Sequence, residues 1–249
     1  MEFVNTLTVF IFGVAVGSFL NVLIYRIPID ESVVFPSSHC PKCGENLKWY
    51  HNIPILSWIL LGGKCAFCRE KISLQYPMVE LINGMLWVVL YLQLGAVWYL
   101  PFVMASFSSL LALSFIDFEH YAVPDSINLF ALFMALINPD VLNLNMSNPL
   151  INALIASFGL WFVGFSVSKM AKKEAMGGAD VIVAGTMAAL LGLNGFFVAI
   201  FISALLAIIP SLFAKDTMVP FVPFLFMGTI IVYLYNETII GIVKNYIYG

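Results

Sequence analysis

Long apolar runs separated by short polar seams constrain this chain more than any other feature. A helical membrane span needs roughly 20 apolar residues, and about eight candidates can be marked. They are Phe3–Tyr25, Pro77–Tyr99, Phe102–Ile116, Ser126–Ile137, Leu150–Ser168, Val181–Leu193, Gly195–Phe213 and Val219–Tyr235. With 61% hydrophobic and 10% charged residues, the composition excludes a soluble globular domain. Gly and Pro fall at the seams and strand-like alternation is missing, so the runs read as helices, not as a barrel. The expected fold is an all-α polytopic membrane protein of about eight spans. It carries one small polar insertion between spans 1 and 2.

Charge placement gives the orientation. With the N-terminus outside, the segments 26–76, 117–125, 169–179 and 214–218 face the cytoplasm. They hold every Lys and Arg except Lys244. The connection 138–149 has none, as an external loop should. "FGVAVGSF" offers a signal-peptidase-like site, but Glu2 precedes the apolar run and Arg26 follows it. That charge order belongs to a retained N-out anchor. Residues 1–25 are therefore read as an anchor helix, 26–76 as a cytoplasmic insertion and 77–249 as the membrane core.

All four cysteines lie in the insertion. "HCPKCGENLKWY" and "GGKCAFCRE" supply Cys40, Cys43, Cys65 and Cys68 as two C-x-x-C pairs about 20 residues apart, the spacing of a tetrahedral four-cysteine zinc site. Gly44 permits the turn that brings backbone N–H groups onto the sulfurs. Disulfides are disfavoured in a reducing compartment, and neither pair sits in the βαβ pattern of a thioredoxin-like site. A segment with so little core benefits from a structural metal. His39 and His51 read as surface histidines, since four thiolates already fill the site.

Carboxylates at membrane depth are costly and point to function. "SFIDFEHYAVPDSIN" contributes Asp117, Glu119 and Asp125; "GGADVIVAG" contributes Asp180. The topology puts Asp117, Asp125 and Asp180 at one cytoplasmic height. Two carboxylates sharing a proton across a water form a dyad of the kind found in soluble aspartic proteases. Gly177 and Gly178 would let an extended substrate approach Asp180. Helix capping competes: it suits Asp125 after Pro124 and is open to Asp180. Asp117 cannot be explained as a cap, since it sits at a helix C-terminus, where a negative charge opposes the macrodipole. Ion or proton transport through the same carboxylates remains open, as does a membrane-anchored zinc adaptor. Glu119 and His120 read as solvated loop residues. Glu80 in "YPMVE" either answers its helix dipole or lines a substrate groove.

Taken together these motifs resemble the type IV prepilin peptidases, bifunctional leader peptidase/N-methyltransferases of bacterial pilus, secretion and competence systems. "GSFLNVLIYRIP" is similar to the family's opening span, residues 40–81 to its zinc-knuckle domain, "IDFEHYAVPD" and "GGAD" to its two aspartate motifs, and "VPFVPFL" to a late Pro-Phe element. The resemblance implies catalytic Asp117 and Asp180, supported by Asp125. It implies prepilin or pseudopilin substrates with a basic leader and a hydrophobic helix, cut after a glycine at the cytoplasmic face of the inner membrane. The new N-terminus would be methylated from S-adenosylmethionine, a function the family links to the insertion. No residue here points to a donor pocket, and no nucleic-acid partner is implied. Three positions depart from the pattern: Ala179 replaces the second glycine of G-x-G-D, Ile182 a frequent lysine, and Val222 a usual glycine. Alanine at position 179 would be strained if the motif needs positive φ.

Overall fold

The computed structural model describes residues 2–137, 148–171, 177–213 and 219–235. These form helices α1 (Glu2–Arg26), α2 (Leu56–Leu60), α3 (Gln75–Leu94), α4 (Leu100–His120), α5 (Asp125–Leu136), α6 (Pro149–Ala171), α7 (Gly178–Phe213) and α8 (Val222–Leu234), with no strands among the described residues. Five helices are long and apolar enough to cross a membrane; α5 and α8 are shorter apolar helices. The expected all-helical, multi-pass architecture is borne out. Parts of the charge argument rest on connections 138–147, 172–176 and 214–218 and on Lys244, which lie outside the described residues.

The chain divides into two compact units, Met1–Leu100 and Pro101–Gly249. In the first, α1 packs along α3 through glycines. A Cβ on Gly17 would sit 2.7 Å from Glu80 Cα, and one on Gly84 would sit 2.5 Å from Val14 Cγ2. Gly13 and Gly17 thus form a small-x-x-x-small face that lets two backbones meet where apolar lipid provides no driving force for association. The Asn83 amide, fully buried on α3, donates to the Gly13 carbonyl at 2.7 Å and fixes the register.

In the second unit α4 is the enclosed helix: Phe107, Leu110, Leu113 and Ile116 are fully buried. By contrast α6 exposes Phe158, Phe162 and Phe165, the apolar surface expected towards lipid. Ser106 Oγ donates to the Ala131 carbonyl at 2.9 Å, linking α4 to α5. Glycines again permit close helix contact: a Cβ on Gly185 of α7 would meet Ser157 Oγ of α6, and one on Gly228 of α8 would meet Ser203 Oγ of α7.

Helix α7 runs 36 residues, about 54 Å at 1.5 Å per residue. That exceeds the roughly 30 Å hydrocarbon core. It is interrupted at Gly192, whose φ of 68° and ψ of 169° are open essentially to glycine alone. The break falls beside the expected seam between Leu193 and Gly195. Elsewhere the apolar pattern ended helices too early: α4 continues past Ile116 to His120, so Asp117 lies inside it.

Candidate active site and metal centre

Asp117 and Asp180 both belong to the second unit and lie within electrostatic reach of each other. Each is held by a helix N-terminus. Asp180 occupies the first turn of α7 and reaches back to the Gly177 N–H, as an acidic residue does in the reciprocal half of a capping box. Asp117 is 7% exposed, and its Oδ2 accepts the Val222 N–H at 3.0 Å, with the Phe221 N–H also directed at it. Those donors open α8. The expectation that Asp117 is not a cap is overturned: its place near the C-terminus of α4 rules out capping that helix, but packing brings it to the N-terminus of α8, which it caps. The unsatisfied N–H groups and positive end of α8 offset the opposing dipole of α4.

The departures from the family pattern have physical readings. Ala179 is helical and is not among the residues with positive φ, so alanine there carries no backbone strain. Val222 serves Asp117 through its backbone N–H, which any residue but proline supplies. Gly178 has open space where a Cβ would project; a Cβ on Gly177 would stand 3.5 Å from Asp180 Oδ2.

Asp125 is exposed at the first position of α5, and the N-cap is Pro124, without a side-chain cap bond. Glu119 and His120 are exposed, in the last turn of α4 instead of a loop, 3.9 Å apart. Asn128 was not singled out by sequence, since one Asn in an apolar helix carries no motif. It is fully buried and donates from Nδ2 to the Ala179 carbonyl at 3.0 Å, tying α5 to the residue before Asp180.

In the first unit the four cysteine sulfurs lie within 4.8 Å of one another, and Cys40 Sγ to Cys68 Sγ is 3.8 Å. Metal–sulfur bonds of about 2.3 Å in a tetrahedron give a sulfur–sulfur edge of about 3.8 Å. The two knuckles repeat one another. The Cys40 N–H bonds the Glu45 carbonyl and the Gly44 N–H the Cys40 carbonyl; Cys65, Glu70 and Arg69 do the same. Isolated bridges His39 to Asn46 and Lys64 to Lys71 close each loop. The residue after the second cysteine is left-handed in both: Gly44 at φ 71°, as expected, and Arg69 at φ 61°.

Backbone N–H groups of Cys68 and Phe67 lower the Cys65 thiol to about 7. For Cys68 the Glu70 N–H pulls down, but desolvation and the neighbouring sulfurs outweigh it and push the thiol up to about 12. Four thiolates so close would repel one another, which helps keep the Cys68 thiol protonated at neutral pH, and a bound dication removes that conflict. The cluster fits a metal ion. His51 is not a free surface side chain: its ring packs 4.5 Å from Tyr50 and 5.3 Å from Phe67.

Glu80 falls in the second turn of α3, not the first, and is 6% exposed. Its Oε2 accepts the Ile55 N–H at 2.7 Å. Ile55 has φ 62° and ψ −52°, and the following Leu56 N–H bonds the Pro54 carbonyl at 2.6 Å. This is a γ-turn of the rare positive-φ type at a β-branched residue. Glu80 latches the insertion to α3 at a strained point.

The fold and these groups define a multi-pass helical membrane protein with two aspartates at converging helix ends and a four-cysteine cluster. Residues 11–94 match the model of the bacterial Peptidase A24 N-terminal domain, and residues 104–212 match that of the type IV leader peptidase family. The chain is 32% identical to the prepilin leader peptidase/N-methyltransferase of Neisseria gonorrhoeae over 257 residues, 92% of this chain and 90% of that protein. It is 32% identical to that of Xanthomonas campestris over 261 residues, with the same shares. Against that of Myxococcus xanthus it is 34% identical over 183 residues, 73% of this chain but 55% of that protein. The chain therefore belongs to the type IV leader peptidase family. No solved structure matches it significantly.

Proposed function

We propose that this chain is a membrane aspartyl endopeptidase that removes the short basic leader of prepilins and pseudopilins, and then N-methylates the new N-terminus. The observation that carries the peptidase reading is that Asp117 and Asp180, at the N-termini of α8 and α7, lie within electrostatic reach of each other. With one proton shared between them, the anionic carboxylate takes a proton from a water lying between the pair. That water attacks the scissile carbonyl, and the protonated carboxyl donates to the carbonyl oxygen. Collapse of the tetrahedral intermediate returns a proton to the leaving amine, giving a carboxylate and a free N-terminus. The helix-end N–H groups hold both carboxylates in place before substrate arrives. Gly177 and Gly178 leave room for an extended backbone beside Asp180, and Asp125 is the supporting residue that the family resemblance implies.

The names of the relatives support methylation as well. S-adenosylmethionine, when bound, would supply the methyl group to the freed amine, which gives up a proton. Cys40, Cys43, Cys65 and Cys68 would hold Zn2+, stapling residues 26–76 as the methylation-associated part beside the anchor 1–25 and the peptidase core 77–249. With α7 counted as two passes about Gly192, the chain makes eight. Charge bias sets the N-terminus outside, with the insertion and both aspartates on the cytoplasmic side of the inner membrane. The transporter reading has no counterpart among the relatives named above.

The test is cleavage of a prepilin-like substrate by purified protein in detergent, with products read by mass spectrometry. Cutting after the junction glycine by wild type, and by neither Asp117→Asn nor Asp180→Asn, is expected. Cutting by all three would sink the dyad.

A further inference from the structure

A cavity of about 100 Å³ lies among α1, α3 and the insertion within the first unit, and its lining includes Asn21, Tyr25, Arg26, Asn52, Tyr76 and Glu80. Two of these carry opposite charge and are almost wholly enclosed, Arg26 at 5% exposure and Glu80 at 6%. They do not pair with each other: among the described residues the one ion pair joins Glu119 and His120. Arg26 donates to the Ser32 carbonyl at 2.9 Å and the Ser37 carbonyl at 3.4 Å, while Glu80 takes the Ile55 N–H and the Ser18 hydroxyl. Buried charges are costly unless compensated. Here both line one small polar cavity, and the guanidinium keeps further N–H donors.

Size narrows what could bridge them. Sites that enclose a whole cofactor run to about 300–1,000 Å³, so this cavity excludes a complete nucleoside-bearing ligand. A cavity of about 150 Å³ takes benzene, so about 100 Å³ has room for a group of some five heavy atoms. An α-amino-acid head has that size, with an ammonium for Glu80 and a carboxylate for Arg26. We infer that this cavity receives the amino-acid head of the methyl donor, with Arg26 on its carboxylate and Glu80 on its ammonium. The inference rests on the methylation reading above and goes beyond it by naming residues where sequence offered none. Because Glu80 also latches Ile55, occupation of the cavity is tied to the placement of α2 and the second knuckle.

The test compares two ligands on the full chain in detergent by equilibrium binding. S-adenosylhomocysteine keeps the amino-acid head; 5′-methylthioadenosine lacks it. Wild type should bind the first at least about tenfold more tightly, the factor one charge-assisted contact supplies. Glu80→Gln keeps an acceptor for Ile55 but loses the charge; it should erase that preference while 5′-methylthioadenosine binds as before. Should Glu80→Gln release the metal, Ser18→Ala takes its place and is expected to narrow the preference. Equal affinity of wild type for both ligands overturns the inference. So does a Glu80→Gln protein that binds S-adenosylhomocysteine normally but loses affinity for a peptide with a free N-terminal phenylalanine, which would make the cavity an acceptor site. If wild type binds neither nucleoside, the methylation reading falls together with the inference, while prepilin cleavage reports on the peptidase reading separately.

Discussion

Asp117 is asked to do two things, and they can be separated by substitution. As a cap it accepts the Val222 N–H at 3.0 Å, a contact between residues 105 apart in sequence. Val222 is fully buried, so removing the acceptor leaves its N–H without a partner. Asp117→Ala should therefore cost about 1–3 kcal/mol, which is roughly 2–4 °C of melting temperature per kcal/mol for a chain of this size. Asp117→Asn retains an acceptor oxygen and weakens a charge-assisted bond to a neutral one, about 1 kcal/mol. Catalysis responds in the other order. Both variants lose the titrating group, and general acid–base groups are worth about 10²–10⁴ in rate. Prepilin cleavage per folded molecule should thus fall at least about a hundredfold in Asn and Ala alike, with only Ala markedly less stable. The assay pairs detergent-solubilised thermal unfolding with cleavage rates by mass spectrometry. An Asn variant that cuts within threefold of wild type would reduce Asp117 to a cap. An Ala variant as stable as Asn would refute the capping argument instead.

Three further outcomes are expected. Chelation, or Cys65→Ser, should release metal and open the chain to protease between residues 26 and 76, since the knuckles have little else to hold them; full metal content in Cys65→Ser would defeat the ligand assignment. Gly17→Ala drives a Cβ to 2.7 Å from Glu80 Cα, so α1 and α3 must separate at a cost of about 1–3 kcal/mol; an unchanged melting temperature would disprove the close contact. Arg69→Gly relieves a left-handed arginine and should strengthen metal retention by about 1 kcal/mol, measured by competition with a chelator; weaker retention would show that the side chain matters more than the backbone.

Much of this protein was legible without coordinates because the signals are local. Apolar runs specify helices from neighbouring residues, and the doubled C-x-x-C with Gly44 specifies paired knuckles whose geometry closes within a few bonds. Asp117 and Asp180 were identifiable as costly charges in apolar context. Where local rules met competing local rules, they misjudged ends: apolarity stops at Ile116, yet hydrogen bonding carries α4 to His120.

The remainder depended on contacts between distant segments. Nothing near Asp117 says that the first N–H groups of α8 will meet it, nor near Glu80 that a strained Ile55 will. Asn128 acquires its role only when α5 packs beside the opening turn of α7. Hydropathy encodes that a residue is buried, whereas the partner it is buried against is chosen by packing, where glycines such as Gly17 and Gly185 allow two backbones to approach. The sequence thus determined which groups this protein has and roughly at what depth. The tertiary structure alone decided which of them meet, because that choice is made by complementary surfaces far apart along the chain.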